Sequence, residues 1–204
     1  MVKKIGSISL IFNDEEWNDF ISRNSQISIQ YIAFLAKLIS SQEDKKDINY
    51  SELRDLMIYE KRIKYNVYKF LLFFEEGLTK QIIDRESKTC QNYYMSNQWE
   101  DKTDKFETMN NYNEQKFNFG WKLDQLKKMS LINKQQYDDY KKSIRELRNK
   151  TMHFNCIYID LNSIQNWIVE LFEYLPENFQ KSFKENITKS SKNLKINSKF
   201  ILQV

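Results

Sequence analysis

Glycine and proline are nearly missing, with three glycines and one proline among 204 residues. Glycine-rich phosphate loops, dinucleotide-binding fingerprints and turn-dense β-sandwiches or barrels therefore have almost no raw material. Cysteine is as scarce. Cys90 and Cys156 make no disulfide framework, and with one histidine they cannot complete a four-ligand zinc site without carboxylates, so neither a metal nor another cofactor is expected. No window approaches the roughly 20 apolar residues of a membrane-spanning helix. The opening MVKKIGSISLIFNDEEW has only a short apolar run, broken by Ser7 and Ser9 and ending in acids, unlike a secretory signal. A cytoplasmic protein with free thiols and no membrane partner is the expectation. What is present is 41% hydrophobic and 15% aromatic residues, enough to fill a core, alongside 29% charge. The fold class these numbers leave is all-α.

The chain reads as a single domain over 1–204, since no repeat of fixed period and no Gly-, Ser- or Pro-rich linker interrupts it. Residues 7–12 alternate through Ile8, Leu10 and Phe12, and residues 194–202 through Leu194, Ile196, Phe200 and Leu202. Both read as short strands, and each is the other's evident partner, giving a minor two-stranded pairing of the terminal segments. Asn13 with Glu15 and Glu16 opens a helix to about Asn24, and Ile27–Ile39 forms a second, buried one. Asn49 and Glu52 stand at cap spacing before a long central helix reaching about Glu86, with Gly77 as a potential kink. Leu53, Leu56, Met57, Ile63, Val67, Phe70, Leu71, Phe74 and Leu78 give that helix one apolar stripe.

Residues 91–118 are rich in Asn, Tyr and charge without periodicity, and read as an exposed excursion. Helical pattern returns at Phe119–Ser130. Asn133 with Gln136 starts another helix to about Met152, and Asn162 with Gln165 starts one that stops at Pro176. From Glu177 to Lys199 six lysines face two glutamates, an excess equal to the chain's whole net charge of +4. This lysine-rich segment, 177–204, reads as a solvated face or a phosphate-holding tail.

The lone histidine, His153, follows Arg148 and Asn149 at five and four residues in IRELRNKTMHFN. With six Arg and 20 Asn in the chain, chance places such a pair before a histidine about once in 350 trials. These residue types suit one reaction. An imidazole titrates near neutrality and can take a proton from a ribose 2′-OH or give one to a departing 5′-oxygen. A guanidinium fork matches a phosphate whose negative charge grows in the transition state, and asparagine can orient either partner. Metal-independent RNA cleavage needs nothing more, because RNA supplies its own nucleophile. Arg145, one turn before Arg148, and Lys150 add cations nearby. Positions five apart differ by about 140° on an ideal helix, so either the helix ends or distorts near Thr151, or two copies assemble the site. A reaction that profits from both a base and an acid, in a chain with one histidine, favours a symmetric homodimer.

Arg148-Asn149-Lys150-Thr151-Met152-His153 resembles the R-x4-H signature of the HEPN superfamily of helical ribonucleases. The run 59–82 is similar to the long helix of bacterial abortive-infection (Abi-like) proteins, in which a Glu sits within an apolar stripe, here Glu75. The resemblance implies a HEPN-type helical bundle and a dimer with its two motifs facing across a cleft. It also implies cleavage of tRNA, mRNA or rRNA in a toxin or anti-phage role, under the control of an antitoxin or a phage-protein activator. Arg148 and His153 would be catalytic, Asn149 would position, and Glu75 would orient Arg148. The alternative is a catalytically silent HEPN-like module that binds RNA or protein and senses a phage product.

Overall fold

In a computed structural model, residues 1–23, 28–94, 119–152 and 156–204 are described. The chain is mostly helical with one small sheet. The described residues cluster into two compact units, one of 1–63 with 186–203 and one mainly of 64–185.

The first unit begins with a hairpin. Strands β1 (Val2–Ile5) and β2 (Ile8–Ile11) pair antiparallel, Ile5 opposite Ile8, across the two-residue turn Gly6-Ser7. Gly6 has a φ of 61°, and glycine with positive φ at the first turn position matches the right-handed twist of the strands. Helices α1 (Asp14–Arg23) and α2 (Ile29–Glu43) then carry the chain to β3 (Asp47–Asn49), which runs parallel to β2. Parallel neighbours need such a crossover, and β2 becomes the central strand with Ile8, Ser9 and Leu10 all buried. Helix α1 starts on a reciprocal cap, Glu16 N donating to Asn13 Oδ1 at 2.7 Å and Asn13 N to Glu16 Oε2 at 2.9 Å. Helix α2 buries Ile32, Leu35, Ala36 and Ile39, while Ile29 is exposed, so it is buried along one stripe and not all round.

The expected pairing of 7–12 with 194–202 does not occur. The strand at 8–11 takes both neighbours from the N-terminal segment, and the C-terminal segment has only a short 3₁₀ turn, Ser198–Phe200. Its backbone donors find side chains of the long helix in place of a ladder. Lys195 N donates to Asp55 Oδ2 at 2.8 Å and Leu202 N to the Tyr59 hydroxyl at 2.7 Å. Phe200 and Leu202 are buried with that helix's Leu53, Leu56 and Tyr59. Burial pushes the Tyr59 phenol up to about 12, despite the opposing bond from Leu202.

Helix α3 runs unbroken over Tyr50–Tyr94. It therefore includes residues 91–94, placed above in an exposed excursion; the rest of that segment, 95–118, lies outside the described residues. Gly77 sits within the continuous helix. Of the apolar stripe read from the sequence, all but half-buried Met57 are buried, and Tyr59, Glu60, Glu75 and Ile82 join them. The hydroxyl of Tyr31 donates to the buried Glu60 carboxylate.

In the second unit, α3 is followed by α4 (Phe119–Lys128) and α5 (Lys134–Asp139). Asn133 and Gln136 form a full capping box at the start of α5. A π-helical turn, Tyr140–Ile144, links α5 to α6 (Arg145–Met152). A 3₁₀ turn (Ile157–Asp160) leads into α7 (Leu161–Tyr174), whose cap position is Asp160. Asn162, expected to open that helix, lies inside its first turn, since the 3₁₀ turn already supplies the lead-in. Helix α8 (Glu177–Lys189) follows Pro176. Val67, Phe70, Leu126, Ile144, Leu147, Ile168, Leu171 and Phe183 are among the buried side chains of this unit.

Candidate functional site

Glu75 stands in α3 between Leu71 and Leu78, one turn to either side, so it shares the edge of their buried stripe. A carboxylate there is stable only when paired. Its partners come from two other helices. Arg148 of α6 donates from Nε to Glu75 Oε2 at 3.1 Å, and Lys122 of α4 donates from Nζ to Glu75 Oε1 at 2.9 Å. Side-chain exposure is 10% for Glu75, 12% for Lys122 and 22% for Arg148, so the trio is mostly withdrawn from water with the arginine outermost. One carboxylate between two cations carries a net charge of +1. Among the described residues, the hydrogen bond to Glu75 is the one that Arg148's side chain makes, and it uses Nε alone. The two terminal nitrogens keep their donors, the geometry that grips an anion.

The segment that delivers Arg148 is unusual. Arg145 N donates to the Tyr140 carbonyl, a five-residue step that closes the π turn and carries one residue more than an α turn. Around it, Tyr174 donates its hydroxyl to Asp139 Oδ2 at 3.0 Å, and Gln135 Nε2 donates to Asp139 Oδ1 at 2.7 Å. Phe74, Tyr140 and Tyr174 pack edge-on or tilted, with Tyr140 and Tyr174 centroids 4.7 Å apart. Burial, reinforced by the adjacent Asp139 charge, pushes both phenols above the ordinary tyrosine range. Ser143 bonds back to the Asp139 carbonyl at 2.6 Å, and Thr151 to the carbonyls of Leu147 and Arg148 at 2.9 and 3.0 Å. These back-bonds occupy a carbonyl ahead of the π turn and, in α6, those of Leu147 and of the arginine itself.

The residues singled out in the sequence are only partly brought together. Glu75 and Arg148 meet. His153 lies outside the described residues, and α6 is described as far as Met152. Asn149 and Lys150 are half-buried and are not among the partners of Glu75. Arg145 is exposed and stands 4.0 Å from its neighbour Glu146, outside the cluster. Lys122, a full member, escaped the sequence reading because nothing in GWKLDQL sets one lysine apart. The six lysines of 181–199 are all exposed. Among the described residues no three His, Cys, Asp or Glu side chains converge to hold a metal, and no helix is long and apolar enough to cross a membrane. No protein-family model, curated protein or solved structure matches the chain.

Proposed function

We propose that the chain is a HEPN-type endoribonuclease that cuts RNA without a metal, acts as a homodimer, and serves as a toxin or abortive-infection effector. The observation that carries this reading is Arg148, fixed through Nε on the buried Glu75, its outer nitrogens unbonded among the described residues, five residues before the chain's one histidine. In the reaction, His153 of one protomer takes the proton of a 2′-OH as that oxygen attacks the adjacent phosphorus. His153 of the partner subunit gives a proton to the departing 5′-oxygen, leaving a 2′,3′-cyclic phosphate and a 5′-hydroxyl. Arg148 neutralises the charge that accumulates on the non-bridging oxygens, and Glu75 keeps the fork aimed. Asn149 orients one of these groups.

The test is cleavage of total RNA by purified protein in EDTA. Wild type cuts, and His153→Ala and Arg148→Ala each abolish cutting and cellular toxicity while retaining the helical circular-dichroism spectrum. Full activity in either variant removes this site. RNA bound but uncut by wild type would favour a silent RNA-binding module. Sequencing the RNA ends produced in cells, wild type against His153→Ala, identifies the substrate.

A further inference from the structure

The cluster contains one cation more than an ion pair requires. A carboxylate paired with a single arginine is neutral, and its repulsion offsets part of the guanidinium's attraction for an approaching phosphate. Lys122 changes that balance from behind. Its ammonium takes Oε1 of Glu75 at 2.9 Å while Arg148 takes Oε2, and at 12% side-chain exposure it is more withdrawn from solvent than Arg148 at 22%. The lysine thus neutralises the carboxylate, and the most exposed group of the trio, the planar guanidinium, is left with the uncompensated charge.

We infer that Lys122 is a positioning residue that keeps Arg148 available to a single phosphodiester: by sharing Glu75 it leaves the trio a monovalent, preorganised anion receptor instead of a closed ion pair. The inference rests on the ribonuclease reading for its ligand class, a phosphodiester of single-stranded RNA. Lys122 itself does not touch the substrate. Its role is carried by charge and by the geometry of the Glu75 carboxylate, so changes at 122 and 75 must offset one another.

That coupling supplies the test. Binding of a fluorescein-labelled 2′-O-methyl oligouridylate, which lacks the nucleophile and cannot be cut, is followed by anisotropy at fixed salt. Lys122→Met brings the trio to zero and weakens binding about tenfold. Lys122→Arg retains affinity. Glu75→Gln raises the trio to +2 and tightens binding, and the Glu75→Gln/Lys122→Met double variant, back at +1, binds like wild type. Cleavage responds differently, since both Glu75→Gln variants lower kcat through a less rigid Arg148 while KM follows the charge. Wild-type affinity in Lys122→Met, or a double variant as weak as Lys122→Met alone, overturns the inference. Should Lys122→Met fail to fold, weakened binding in Glu75→Gln overturns it equally. The two ideas fail separately. Charge-dependent binding without any cleavage refutes the nuclease reading, whereas His153-dependent cleavage with affinity indifferent to residues 75 and 122 refutes this one.

Discussion

The backbone amide of Leu202 donates to the hydroxyl oxygen of Tyr59 at 2.7 Å, a buried bond between residues 143 positions apart. It fastens the C-terminal segment to α3, while burial, against the opposing pull of this bond, holds the phenol in its protonated form. The folded protein holds the Tyr59 proton to about 12, whereas an unfolded chain releases it near 10. The folded state therefore binds the proton more tightly. Its stabilisation is complete below about pH 10 and falls as pH rises toward 12, by about 2 kcal/mol. Urea unfolding at about pH 9 and about pH 11.5 should show Tyr59→Phe losing less between the two than wild type. At the lower pH the variant should be weaker by about 1–2 kcal/mol, since the Leu202 amide loses its acceptor. Equal alkaline losses would contradict the assignment.

Glu75 makes a second stability prediction. Glu75→Ala leaves Lys122 and Arg148 facing each other with little water to screen them, and should cost about 2–4 kcal/mol. Glu75→Gln keeps an acceptor oxygen and should cost less. Midpoints of urea unfolding at constant slope measure both.

The π turn predicts an asymmetry in tolerance to deletion. Because Tyr140–Ile144 already holds one residue beyond an α turn, removing exposed Lys142 converts it to regular helix while its flanks keep their places. The loss should stay within about 1 kcal/mol, with RNA cleavage retained. Removing Glu146, inside α6, has no such slack. It rotates Arg148 by about 100° away from Glu75 and should lower both the melting temperature and activity sharply.

The two glycines outside the site should respond with opposite signs. Gly6 holds a φ of 61° in the hairpin turn, so Gly6→Ala should cost about 1 kcal/mol although no atom beyond its chain neighbours lies within 4 Å of the added methyl. Gly77 lies within α3 with the same open space, and Gly77→Ala should add about 0.5–1 kcal/mol. Thermal unfolding of the two variants decides, and a shared sign would be wrong for one of them.

What the sequence disclosed follows the range of the interactions involved. The caps at Asn13 and Asn133, the stop at Pro176 and the stripe from Leu53 to Leu78 are local in period or spacing, and they were readable. The sheet is not legible because VKKI has no alternation to announce a strand, so the alternation at 8–11 points to a distant partner when the nearest lies across Gly6-Ser7. The C-terminal segment alternates because Phe200 and Leu202 are buried, yet Tyr59 and Asp55 satisfy its backbone, and alternation cannot tell side-chain acceptors from a ladder. In the site, Glu75 and Arg148 were singled out through a motif and a helix pattern. Lys122 was invisible because its importance comes from meeting Glu75 across 47 positions.

Helix α3 supplies Tyr59 to one compact unit and Glu75 to the other, and α8 also crosses from one to the other. The division between 63 and 64 therefore falls within the span of a helix. Neither unit can be excised at that point without exposing a severed helix end and half of its apolar stripe. Truncations meant to isolate the Arg148 cluster will discard part of the element that carries Glu75, so dissection of this protein by substitution will be more informative than dissection by fragment.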